Sequence, residues 1–233
     1  MLTIDSQVHS YEKDSPSNRW VGYLPGPEEA TGDQMVVAMD EVGVDAALLV
    51  SAYSVYGYDP AYALKVYAQH PSRFRLIKPF NPKSDSSYEE VIEWSKKDGV
   101  IGARIMLDND PLTSDGIGLN GILKAGAEAN IPINLHCSNA LPLFKELAIK
   151  HPNTQLVIDH VGITQPKKLP KPENPFANLD AVLDLAQFEN VAIKISGSCT
   201  LSKEDFPYLD IWPYLHKIFD AFGLERCLWG TDW

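Results

Sequence analysis

Short apolar runs recur along the chain, each separated from the next by a longer amphipathic segment. The first opens at Leu2 and leads through Ile4 into Gln7-Val8-His9; the second is Ala46-Ala47-Leu48-Leu49-Val50. Arg73-Phe74-Arg75-Leu76-Ile77-Lys78, Gly102-Ala103-Arg104-Ile105-Met106-Leu107 and Pro132-Ile133-Asn134-Leu135-His136 follow. Gln155-Leu156-Val157-Ile158-Asp159, Val191-Ala192-Ile193-Lys194-Ile195-Ser196 and Cys227-Leu228-Trp229-Gly230 complete the series. Runs this short, rich in Val, Ile and Leu, fit strands buried on both faces of a parallel sheet.

The intervening segments read as helices. Residues 61–69 carry Ala63, Leu64, Tyr67 and Ala68, and residues 88–97 carry Val91, Ile92 and Trp94, with Ser86 and Ser87 as N-cap candidates. Residues 121–129 run into Asn130, a C-terminal cap, and residues 140–150 stop at His151-Pro152. Residues 33–42 end at Gly43, 180–187 form a further helix, and 212–222 stop at Gly223. Strands alternating with helices predict a parallel sheet. Eight strands and seven helices predict one (β/α)8 TIM barrel spanning residues 1–233. An open doubly wound sheet is the weaker reading, because no glycine-rich phosphate turn follows the first strand. Only Thr231-Asp232-Trp233 follow the last run, so the barrel is expected to lack its eighth helix, as in a truncated chain.

Length is compatible with this, since 233 residues fall in the roughly 200–250 a barrel needs. The formal net charge of -11 argues against nucleic acid and anionic membrane as partners. An anionic small molecule stays admissible, because a few Arg and Lys residues can reverse the field inside a pocket. Cys137, Cys199 and Cys227 are scattered and read as free thiols in a reducing compartment. No charged leader with an apolar core and no membrane-length apolar run is present, so a soluble cytoplasmic protein is expected, with a homo-oligomer left open.

Three long connections, over residues 9–33, 161–178 (with the Lys-Pro-rich stretch 165–172) and 197–207, all follow strands and so share one face of the barrel. That face is where barrels keep their chemistry. His9, Arg104, His136, His160 and Asp232 each end or follow an apolar run. In a closed barrel those ends converge on one mouth. Imidazole nitrogen and carboxylate oxygen suit a divalent ion such as zinc or manganese, which acidifies bound water and polarises a carbonyl. His70 and His151 precede prolines at helix ends and His216 lies within a helix, so these three read as structural or surface residues. Tyr53 and Tyr56 follow the second strand as candidate pocket walls. Lys78 and Lys194 lie in strands and must each find an anionic partner or a substrate. Cys137 and His136 point to opposite faces of their strand, which argues against a Cys-His pair.

Ile4-Asp5-Ser6-Gln7-Val8-His9 resembles the first-strand motif of the amidohydrolase superfamily, most closely its amidohydrolase-2 branch of lactonases and metal-dependent decarboxylases. His70-Pro71-Ser72-Arg73-Phe74, Asp159-His160-Val161-Gly162, Lys194-Ile195-Ser196-Gly197 and Leu228-Trp229-Gly230-Thr231-Asp232-Trp233 carry the same resemblance, as do 54–59 and 99–104, so it covers almost the whole chain. It implies a hydrolase opening a lactone or similar cyclic ester of a carboxylated small molecule. The other readings are a metal-dependent decarboxylase and a catalytically silent metabolite-binding barrel. The family's first strand carries His-x-His, and here Gln7 replaces the first histidine. Two mechanisms follow. In one, His9, His136 or His160, and Asp232 hold a divalent ion. In the other, which Gln7 favours, Asp232 alone takes a proton from water while His136 and His160 donate to the carbonyl or leaving oxygen. Arg104 is then expected to grip a substrate carboxylate bidentately unless it pairs internally with an acid such as Asp108. Gln7 and Lys78 complete the expected substrate contacts.

Overall fold

The computed structural model describes residues 1–24, 26–109, 111–166 and 171–233. Residues 167–170 of the Lys-Pro-rich stretch lie outside them. Eight parallel strands form one sheet in sequential order: β1 (Ile4–Val8), β2 (Ala46–Val50), β3 (Phe74–Pro79), β4 (Val100–Met106), β5 (Ile133–His136), β6 (Leu156–Ile158), β7 (Val191–Ile195) and β8 (Cys227–Trp229). All eight expected strands are present, displaced at their ends by a residue or two.

The helices are α1 (Gly32–Val42), α2 (Tyr53–Tyr56), α3 (Ala61–Gln69), α4 (Ser87–Ser95), α5 (Ile117–Ala129), α6 (Leu141–Lys150), α7 (Leu179–Leu183) and α8 (Trp212–Phe222). Seven correspond to expected helices, although the segment read as 180–187 becomes a 3-10 turn from Asp184. α2 was not expected, because four residues are too few to show a helical period. Thr31 caps α1 reciprocally with Gln34, and Asn130 closes α5 in a left-handed conformation. Ser86 stands at the N-cap of α4 but does not cap it: its hydroxyl donates to Glu90, while Ser87 Oγ donates to the carbonyls of Asn81 and Ser84.

Burial of Leu49, Leu76, Ile105, Leu135, Ile158 and Ile193 places the strands at the centre, with Val66, Val91, Leu123, Phe144, Val182 and Ile218 closing over them from the helices. Between β8 and β1 the ladder is replaced by a seam. Asp232 N donates to Gln7 O at 2.9 Å and His9 N to Trp233 O at 2.8 Å. The Asp5 carboxylate accepts from Thr231 N (3.0 Å), Thr231 Oγ1 (2.5 Å) and Gln7 N (2.9 Å). Gly230 permits this approach, since a Cβ there would lie 2.8 Å from Ser6 Oγ. The barrel is thus nearly closed, and its mouth is formed by the segments that follow the strands.

Candidate active site

A cleft of about 1050 Å³ opens at the C-terminal ends of the strands. His9 enters it directly after β1, Tyr53 from the start of α2, Arg104 from β4, His136 from the end of β5, His160 from the turn after β6 and Asp232 from the segment after β8. Val21, Gly22, Tyr23, Leu24 and Pro27, in the long connection after β1, form a second wall. The barrel therefore brings together all five of the strand-end residues singled out by sequence.

His160 and Val161 have φ of +51° and +53°, and Asp232 has +63°. Left-handed backbone is costly for ordinary side chains and most so for a β-branched valine, about 1–3 kcal/mol each. Strain of this kind at a cleft marks side chains held where the chain would not place them by itself.

Beneath the cleft lies a buried polar layer. Asp159 Oδ2 accepts from Arg104 Nε at 2.7 Å, and Lys194 Nζ stands 3.2 Å from Asp159 Oδ1; all three side chains are buried. Burial works against the charge on Asp159, but Lys194 and Arg104 outweigh it and hold the carboxyl far below its usual range. Burial lowers the Lys194 pKa, with Asp159 opposing. Arg104 Nη2 donates to His160 Nε2 at 3.2 Å, and His160 Nδ1 meets Ser196 Oγ at 3.0 Å. Burial dominates at His160 and brings its pKa down to about 4, so the ring is neutral near pH 7.

A second chain of hydrogen bonds leads to the mouth. Lys194 Nζ donates to Gln7 Oε1 at 2.6 Å, which turns the Gln7 amide nitrogen toward His9 Nε2 at 3.1 Å. His9 Nδ1 donates to Val50 O at 2.7 Å. These partners assign His9 as the Nδ1–H tautomer with its Nε2 lone pair accepting. Asp232 Oδ1 stands 3.4 Å from that nitrogen, buried and without a hydrogen bond. Asp232 Oδ2 is 3.7 Å from His160 Nδ1. Burial pushes the Asp232 pKa up, but His9, His160 and Arg104 together outweigh it and keep the carboxyl below its ordinary value. Across the cleft, His136 Nδ1 lies 3.2 Å from Asp108 Oδ2, and the Asp108 carboxylate is further held by Ser138 Oγ and Asn139 N.

Several expectations change at this point. Arg104 pairs internally, with Asp159 rather than Asp108; its Nε and Nη2 are committed, so a bidentate grip on a substrate is not available. Tyr56 faces away from the cleft, its hydroxyl accepting from Glu12 N and Asn18 Nδ2. Lys78 lies over the Phe80 ring, 4.2 Å from its centroid, and donates to Tyr58 O outside the cleft. Gln7 is fully buried and reaches His9 instead of a ligand. His70, His151 and His216 meet Asp33, Asn120 and Trp212, away from the cleft. Asp159, Ser196, Asn109, Met106, Gln165 and Trp233 were not anticipated as parts of the layer or lining. Asp159 could have been: it is an acid ending an apolar run, directly before His160.

The expected metal set of His9, His136, His160 and Asp232 can be tested on its donor atoms. His9 Nε2 accepts from Gln7, and His160 Nε2 accepts from Arg104. Two buried cations, Lys194 and Arg104, lie behind them. Among the described residues no three His, Cys, Asp or Glu side chains converge to hold a metal ion. As these side chains stand, they do not fit a divalent cation. No helix among the described residues is long and apolar enough to cross a membrane.

A sequential eight-stranded parallel barrel with an acid and three histidines at its mouth defines the class, and sequence comparison agrees with it. The amidohydrolase family model Amidohydro_2 matches residues 4–233, and the chain belongs to that family. It is 24% identical over 211 residues to a 4-sulfomuconolactone hydrolase of Hydrogenophaga intermedia, covering 89% of this chain and 66% of that protein. It is 24% identical over 247 residues to an L-fucono-1,5-lactonase of Burkholderia multivorans, covering 100% of this chain and 82% of the relative. Among solved structures, a probable 2-pyrone-4,6-dicarboxylic acid hydrolase of Acinetobacter baumannii with citric acid bound superposes with a TM-score of 0.76 at 21% identity, over 100% of this chain and 84% of that one, a likeness of fold. The chain spans about two thirds of the length of the sulfomuconolactone hydrolase.

Proposed function

We propose that the protein is a lactone hydrolase in which Asp232 activates water without a metal ion. The observation that carries this reading is Asp232 itself, which lines the cleft with Oδ1 buried and unpartnered and with its carboxyl below its ordinary pKa. A carboxylate in that state is ionised at any pH above the acid range and is available to take a proton as water attacks. The relatives named for lactone hydrolysis support the substrate class.

In the proposed reaction, water oxygen bonds to the lactone carbonyl carbon while its proton passes to Asp232. The oxyanion so formed meets Arg104 through Nη1, the guanidinium nitrogen not already donating to Asp159 or His160. A donor aimed at developing charge contributes about 3–4 kcal/mol. The ring C–O bond then breaks. His136, with Asp108 at Nδ1, gives a proton from Nε2 to the leaving oxygen, and Asp232 returns its proton through water to His136. The product is an open-chain hydroxy acid. His160 serves differently from expectation: its Nε2 is occupied by Arg104, so it fixes the guanidinium and does not donate to the carbonyl. Arg104 is the one Lys or Arg residue among the described cleft residues, and with Nε and Nη2 committed and Nη1 on the oxyanion it leaves no nitrogen for a substrate carboxylate. A metal-dependent decarboxylase is the weaker reading, because its metal would need the lone pairs that Gln7 and Arg104 engage.

The test is hydrolysis of sugar-acid 1,5-lactones and carboxylated unsaturated lactones by the purified protein, followed through acid release in dilute buffer. Asp232→Asn is expected to lower turnover at least about a thousandfold while the thermal midpoint holds. Turnover unchanged in that variant, or decarboxylation without lactone opening, would overturn the reading.

A further inference from the structure

We infer that the substrate is an uncharged lactone carrying an apolar substituent, and that Val21, Tyr23 and Leu24 form the subsite that receives it. This deepens the lactonase reading and rests on it for the reaction; the seat for the substituent is testable without turnover.

Size points to a substrate larger than its ring. The cleft, about 1050 Å³, stands at the upper end of the roughly 300–1,000 Å³ of ligand pockets, and a bare five- or six-membered lactone would leave most of it to water. Arg104, His136 and Asp232 enter the cleft from the ends of strands, whereas the second wall belongs to the connection after β1. A lactone carbonyl held among the first group leaves room for a substituent directed at the second.

Charge excludes one kind of substituent. Arg104 is the one Lys or Arg residue among the described lining, and its nitrogens are taken by Asp159, His160 and the oxyanion. The acidic side chains of Glu29 and Asp232 line the same cleft. A substrate carboxylate would give up water for two acids and no unpaired cation among these residues, an unfavourable exchange.

The wall itself selects the other kind. Val21 is 73% exposed and Tyr23 79%, with Leu24 half-buried beside them. Single exposed apolar residues are ordinary, but several together on one side of a cleft mark a ligand-binding groove. Their backbone is pinned to α2: Val21 N donates to Val55 O at 2.8 Å, and a Cβ at Gly22 would stand 2.6 Å from Ser54 O. Tyr11 and Ala30 exchange backbone hydrogen bonds of 2.8 and 2.9 Å and close the connection on itself. Apolar side chains on a fixed backbone, left uncovered by the rest of the chain, are preorganised to take apolar surface from a ligand. Tyr53, at the start of α2, adds a further ring to the same cleft.

The test compares six-membered lactones that differ only in the group beside the ring oxygen: hydrogen, n-pentyl or carboxylate. kcat/KM is expected to be about 10- to 100-fold higher for the pentyl than for the unsubstituted lactone, and lowest for the carboxylate. Tyr23→Ser, at an exposed position where substitution disturbs folding little, should shrink the pentyl advantage at least about threefold, through KM rather than kcat. Tyr23→Arg supplies the missing cation and should raise kcat/KM for the carboxylate about tenfold. Carboxylate turnover as fast as pentyl turnover, or a pentyl advantage unmoved by Tyr23→Ser, would overturn the inference. So would a change of oligomeric state in Tyr23→Ser, since the wall would then be a contact between copies of this chain. If no lactone is opened, the function proposed above fails, and titration calorimetry with the corresponding pentyl and carboxylate δ-lactams decides the subsite alone. Tighter binding of the pentyl lactam, lost in Tyr23→Ser, sustains it; equal or absent binding overturns it.

Discussion

Asp159 is the residue on which the buried layer depends, because it alone meets both buried cations, Arg104 and Lys194. Removing one partner of a buried ion pair leaves an uncompensated charge, at a cost of about 3–5 kcal/mol. Asp159→Asn is therefore expected to lower the unfolding free energy by that order in urea titrations, far more than removal of an exposed acid such as Glu93, whose partner Lys96 is solvated. Acid should weaken the fold through His160. Its folded pKa is about 4 against an ordinary 6.5, so between those values the unfolded chain binds more protons. Stability is intact above pH 6.5, declines as pH falls toward 4, and the loss reaches about 3 kcal/mol at most. Asp232, lowered from its ordinary value, adds a further loss in more acidic solution. Urea midpoints at pH 7 and 4.5 measure the slope, which His160→Gln should flatten.

At the scale of elements, the eight strands and seven of the helices could be read from periodicity, and so could the gathering of strand-end residues at one mouth. What local pattern does not carry is which face of a strand a side chain takes when both faces are buried. Lys78 in β3 looked like a lumen residue and instead lies over Phe80, outside the cleft. Tyr56 comes only three residues after Tyr53, but one turn of α2 carries it to the loop after β1. Arg104 found a partner 55 positions away, a pairing set by the barrel and invisible in spacing. Close packing between elements is likewise a property of the assembled fold. At Gly118 in α5, a Cβ would stand 2.4 Å from Ser84 O and 2.6 Å from Pro82 O, both backbone atoms that cannot swing aside. Gly118→Ala is expected to destabilise by about 1–3 kcal/mol in thermal or urea unfolding, although alanine has the higher helix propensity.

Across the whole molecule, the net charge of -11 contrasts with a layer in which Arg104 and Lys194 balance Asp159 and Asp232. The seam between β8 and β1 joins that interior to the fold's connectivity. Neighbouring strands from β1 to β8 zip in order, each onto the one before, and the final junction is made by Asp5, Thr231 and two backbone bonds that flank Asp232. The proposed base is thus mounted on the clasp of the ring. On the proposed reading, fastening the ring also sets the base: a sheet with every ladder formed but its clasp open is expected to pass for folded by its circular dichroism and still turn nothing over.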